Sequence, residues 1–129
     1  MATRCNIFIY ENQEDFNQSK DNFDFCLYKH NDGHPAGVGE FLEHKMSERM
    51  FLVPHYMTNE LIKARHIDGS DIGFEITYDQ HGDIDYYYVV FCNERIVRCY
   101  HTWRTFNSET DKIEHHEKME YEHFVEFHR

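Results

Sequence analysis

Positive charge is scarce in this chain: 13 Lys and Arg stand against 24 Asp and Glu, a net −11 with the 11 histidines neutral. Nucleic acids bind proteins largely through cations that displace counterions from phosphates, so this balance disfavours direct contact with DNA or RNA. Long apolar runs are missing too. Tyr86–Phe91 is among the longest, at about six residues, whereas a membrane-spanning helix needs about 20. The opening Met1-Ala2-Thr3-Arg4-Cys5-Asn6 lacks the basic and apolar stretches of a secretion signal, which predicts a cytoplasmic protein. No C-x-x-C pair occurs among Cys5, Cys26, Cys92 and Cys99. Scattered cysteines in a reducing compartment read as buried thiols, and a zinc site built from them is disfavoured. A Walker loop and the G-x-S-x-G nucleophile elbow are also absent, so nothing points to a P-loop or a serine hydrolase. No cofactor is expected.

Hydrophobic material is abundant. Apolar residues make up 40% of the 129 and aromatics 16%, enough for one core and too much for a disordered chain. The expectation is a single domain over residues 1–129. Its acidity suits either simple solubility or a basic protein partner.

Hydrophobic periodicity sets the expected order of elements. Residues 6–11 read as a strand, 12–22 as a polar hairpin loop, and 23–30 as a second, antiparallel strand with Phe23, Phe25 and Leu27 on one side. Asn31-Asp32-Gly33 is a turn. Helical spacing places a helix over residues 38–50, Pro54 breaks it, and Thr58 is a candidate cap for a helix over 59–65. Strands follow at 72–78, 84–91 and 95–103. Tyr86–Phe91 is apolar on both faces, which predicts a central strand. Ser108 with Asp111 resembles a capping box, so a charged, histidine-rich helix is expected over 108–128. The class is α+β: a mostly antiparallel five-stranded sheet in the order β-β-α-α-β-β-β-α, with helices packed on it.

Four segments carry candidate chemistry. Residues 28–39 run from a strand end through Gly33, Gly37 and Gly39 to a helix start, a geometry that turns backbone N–H groups toward an anion. Glycine's backbone freedom at a tight connection is the plain alternative. The turn His81-Gly82-Asp83 has a similar composition. If it met the first, His30, Asp32, His81 and Asp83 would form an acid–base or metal cluster, although turn formation alone explains such residues. Arg98 with Tyr86, Tyr88 and Tyr100 could line one sheet face and hold a planar phosphorylated ligand; salt-bridged arginine is the alternative. Arg95 and Arg104 lie near by. His116, Glu120 and His123 share a face of the expected C-terminal helix, a weak metal candidate on a stretch that reads as solvated.

The start Met1-Ala2-Thr3-Arg4, the pattern Tyr28-x-His30-x-Asp32-Gly33-x-Pro35-x-Gly37-x-Gly39 and the patch His81-Gly82-Asp83-Ile84-Asp85-Tyr86 resemble a group of small, uncharacterised proteins of tailed bacteriophages and prophages. The likeness spans about residues 1–103; the group more often has Tyr where this chain has His34. It implies a phage gene expressed in a bacterial cytoplasm, and no mechanism. Together with the small size, acidity and lack of a catalytic signature, the expectation is a phage accessory protein that acts by binding. It would counter a host defence or regulatory system, by covering a basic host protein with acidic surface or by capturing a nucleotide-like small molecule. A small hydrolase or nuclease using the His/Asp residues, with or without a metal, is the rival, and a virion or scaffolding part a third reading. A homo-oligomer is compatible with each.

Overall fold

Six strands and three α-helices account for most of residues 2–128, which the computed structural model describes. The strands are β1 (Cys5–Tyr10), β2 (Phe25–Lys29), β3 (Glu75–Thr77), β4 (Tyr86–Phe91), β5 (Ile96–Asn107) and β6 (Lys112–Phe124). The helices are α1 (Gln13–Gln18), α2 (Glu40–Ser47) and α3 (Pro54–Lys63). One open sheet runs in the order β3-β2-β1-β4-β5-β6. It is mixed: β1 pairs parallel with β4, and every other pairing is antiparallel. A parallel pair needs a long crossover, and residues 11–85, with β2, the helices and β3, supply it.

Period-2 alternation sends side chains to both faces, and both are covered. On one face Ile7, Ile9, Leu27, Tyr88, Val90 and Val97 pack with Leu42 and Met46 of α2 and Met57 and Leu61 of α3. On the other, Phe8, Tyr10, Cys26, Tyr87 and Phe91 form a second cluster under Phe16 of α1 and Phe23. Each fully buried side chain of this size contributes about 1.5–3 kcal/mol. β4 lies between β1 and β5 with both faces in core, the placement its unbroken apolar sequence predicts. All four cysteines are free and buried.

Five expectations need correction. Residues 13–18 are helical, because the Asn12 side chain accepts from the Asp15 N–H at 2.9 Å and caps the first turn; the sequence shows only Phe16 as an apolar anchor. Pro54 does not break a helix but opens α3 as its first residue, where its missing N–H costs nothing. Thr58, expected as a cap, is buried inside that helix. The connection from β2 into α2 begins as one wide π-type turn, Pro35–Gly39. The largest difference is the C-terminal helix, which is strand β6. Asn107 accepts from the N–H groups of Glu109 and Thr110 at 2.9 and 3.3 Å, and Asp111 turns with φ 56°. The Ser108–Asp111 segment therefore closes a hairpin. Charged residues with good helix propensity then pair with β5 across its full length, and tertiary pairing overrides propensity.

Candidate functional site

β1 and β4 begin, and β2 ends, at the same edge of the molecule, so three chain segments bring polar residues together there. β1 separates β2 from β4, yet the two His/Asp turns still approach one another. Two clusters result, one on each face of the sheet.

On the face opposite α2 and α3, His81 stacks on Tyr28 with ring centroids 3.9 Å apart, and its N–H donates to the buried Asn6 side chain at 2.8 Å. Arg4 sits between the turns. Its Nε donates to His30 Nδ1 at 3.2 Å and lies 3.3 Å from an Asp83 oxygen. His30, His81 and Asp83 are thus neighbours, as the sequence allows. The groups are engaged with one another, however: a guanidinium holds both the imidazole nitrogen and the carboxylate that a general base would need. Asp32 stands apart, on the other face.

On the helical face, the 33–39 turn borders a groove of about 370 Å³ whose other walls are the 65–74 loop and α2. Phe41 and Phe74, with centroids 5.8 Å apart and rings inclined by 25°, form its apolar side. The groove is also lined by Lys29, Asp32, His34, Arg65 and His66; Arg65 pairs with Asp71 at 3.7 Å, and His34 lies 4.0 Å from Asp32. Lys29 is only 6% exposed. Its ammonium donates to the Asn31 carbonyl at 2.7 Å and lies 5.9 Å from the Phe74 ring centre, and among the described residues it has no carboxylate partner. Buried charges ordinarily come paired. Beside it, burial pushes the Cys5 thiol up to about 12, although the Lys29 charge pulls the other way.

The glycines bordering this groove do not form an anion cradle. Gly33 N–H donates to Thr3 O at 2.9 Å, Gly37 N–H to His34 O at 2.9 Å, and Val38 N–H to Asp32 O at 3.1 Å. Those donors are already bonded to backbone carbonyls, of Thr3 before β1 and of Asp32 and His34 in the turn. The glycines serve close packing instead. A Cβ on Gly33 would lie 2.8 Å from Cys5 Cβ, one on Gly37 would meet the Asp32 carbonyl, and one on Gly39 the Tyr121 hydroxyl. Positive charge here comes from side chains.

The expected arginine–tyrosine face does not form, because adjacent residues of paired strands alternate sides. Tyr86 and Tyr88 face α2 with Cys99, whereas Arg98 and Tyr100 face away beside Tyr87. Tyr88 is fully buried and donates to Gly33 O at 2.7 Å. Arg98 pairs with Glu122 and covers Phe91, so it is a salt-bridged arginine. Arg95 donates to Val125 O at 2.9 Å and fastens the chain end to the sheet. His116, Glu120 and His123 do not converge either. On a strand, seven positions span about 23 Å; His116 stacks on Trp103 and His123 bonds Glu43 at 2.5 Å. Among the described residues no group of three or more His, Cys, Asp or Glu is placed to hold a metal ion.

Sequence reasoning passed over Lys29, Phe41, Arg65, His66 and Phe74. Lys29 carried a legible signal. It continues the inward phase of Phe25 and Leu27, and a lysine in the buried phase of a strand is a departure that asks for a reason. Comparison with protein-family models, curated proteins and solved structures finds no match to this chain.

Proposed function

We propose that this chain acts by binding, and that its ligand is a small planar molecule carrying negative charge, of the nucleotide class, held in the groove beside the 33–39 turn. The observation that carries this reading is Lys29: a buried ammonium with no carboxylate partner among the described residues, lining a groove with two phenylalanine rings. Aromatic walls take a planar ring system, and Lys29, Arg65 and the imidazoles of His34 and His66 take phosphate. A volume of about 370 Å³ lies within the range of small-molecule sites. In a phage setting, such capture withdraws a nucleotide signal from a host defence or regulatory system. The hydrolase reading has no comparable support, since Arg4 occupies His30 and Asp83, and Asp32 lies on the other face.

The test is calorimetric titration with a panel of mono-, di- and cyclic nucleotides beside the matching nucleosides. Phosphorylated members should bind with Kd near about 10 μM or below, and nucleosides at least about tenfold more weakly. Lys29→Met should abolish binding and leave stability equal or higher by up to about 1 kcal/mol, because an isosteric apolar chain removes a charge from the interior. A panel without binders, or binding that survives Lys29→Met, refutes the proposal.

A further inference from the structure

The two edges of the sheet are unlike. One is β3, three residues long; the other is β6, thirteen residues long, with no strand on its outer side among the described residues. A long unpaired edge presents a row of free N–H and C=O groups and is ordinarily blunted or used. Side chains along it are largely exposed, including Ile113 at 58% and Met119 at 49%, and neither Lys112 nor Lys118 makes an ion pair within the described residues. From the hairpin turn to the bulge, where Glu120 is left without a partner opposite Cys99/Tyr100, the strand reads Lys112-Ile113-Glu114-His115-His116-Glu117-Lys118-Met119.

We propose that β6 pairs antiparallel with β6 of a second copy of this chain, about a two-fold axis at His116, joining the two sheets into one. Such an axis stands perpendicular to the sheet, so a residue faces a partner on the same side, and the axis must pass through a residue rather than between two. With His116 on the axis, each remaining position from Ile113 to Met119 meets a complement. Glu114 faces Lys118 of the second copy, His115 faces Glu117, and Ile113 faces Met119, while Lys112 lies opposite the bulge residue Glu120. Neighbouring registers fail by charge. An axis at Glu117 opposes that residue to itself and Glu114 to Glu120; one at Lys118 opposes Lys118 to itself and Glu114 to Glu122. An axis at His115 sets Lys112 against Lys118. Like charges directly opposite destabilise a ladder, and unlike pairs support it. Among the four registers centred on His115, His116, Glu117 and Lys118, the strand is therefore charge-complementary to its own reverse in one. Edge charges that would repel other strands also specify this one.

Sedimentation of the full chain at about 0.15 M salt, where charge repulsion between −11 chains is partly screened, tests the pairing. The native chain should form a concentration-dependent dimer. Glu114→Lys and Lys118→Glu, each alone, should raise the dimer Kd by about tenfold or more, since each change places like charges opposite twice per dimer. The double variant Glu114→Lys/Lys118→Glu restores the opposition and should restore the dimer. These side chains are exposed, so thermal melts of the monomers should coincide. A chain that stays monomeric to about 0.5 mM leaves the edge to a strand of another protein and overturns the proposal. Dimers indifferent to the single changes, or not rescued by the double, overturn it as well.

Discussion

β4 and the outer half of the β5–β6 hairpin are both aromatic-rich β structure in one sheet, yet their surroundings are opposite. Tyr87, Tyr88, Val89, Val90 and Phe91 of β4 are at most 2% exposed. Beyond His101, which pairs with Tyr86 at the start of β4, the hairpin overhangs the sheet, and Trp103, Phe106 and Ile113 are 41, 62 and 58% exposed. The difference is one of neighbours rather than composition. β4 has a strand on each side and packed side chains on each face; the overhang has one partner strand and solvent. The same residue types then do different work. In β4 they hold the fold, and in the overhang they are left for contacts outside it.

The sharpest way to break the comparison is to place a charge in each region. Tyr88→Asp should lower stability by about 4 kcal/mol or more, because a carboxylate would sit unpaired where the Tyr88 hydroxyl now donates to Gly33. That is enough to unfold a marginal domain, and urea denaturation would read it. Next in size is Gly33→Ala, at about 1–3 kcal/mol, since the new methyl would lie 2.8 Å from Cys5 Cβ and 2.9 Å from the Thr3 carbonyl. A melt within experimental error of the parent would show that the approach at the start of β1 is not close.

A pH titration probes the same core. Burial raises the thiols of Cys5, Cys26, Cys92 and Cys99 from 9.0 to about 12. A raised folded-state value favours the protonated form, so this contribution is complete below about 9 and is lost as pH climbs toward about 12. Stability should fall across that window, and a thiol reagent should label no cysteine of the native chain at neutral pH. Prompt labelling of one thiol would mean that its pocket opens. The smallest effect belongs to the overhang. Phe106→Ser should change stability by about 0.5 kcal/mol or less, and amides of residues 104–115 should exchange far sooner than those of β4. A large loss from Phe106→Ser would mean that the tip is covered, and would erase the contrast.

How far these regions were legible follows from their neighbours. The unbroken apolar stretch of β4 announced a strand buried on both faces. The second strand of the outer hairpin announced a helix, because Ser108 with Asp111 resembles a capping box and β6 carries no strict alternation to contradict it. The apolar residues that pair it, in β5, lie in a different segment. The candidate site was half visible. The turn at residues 31–39 stood out by its glycines, but their role is packing against Cys5, Asp32 and Tyr121. Lys29 was marked only by its place in the inward phase at the end of β2, and the groove's aromatic walls come from Phe41 and Phe74, far apart in the chain.

By itself the sequence determined the α+β class, the antiparallel start, the central position of Tyr86–Phe91 and the burial of the cysteines. Those features follow from local periodicity and from side chains that are costly to expose. Only the tertiary structure decided that β1 and β4 pair in parallel, that Arg98 and Tyr86 face opposite ways, and that residues 112–124 form a strand. It also decided that Lys29 lies buried beside two phenylalanine rings. Each of these depends on which other segment, near or far in the chain, lies alongside, and pairing between segments leaves no period in the chain to read.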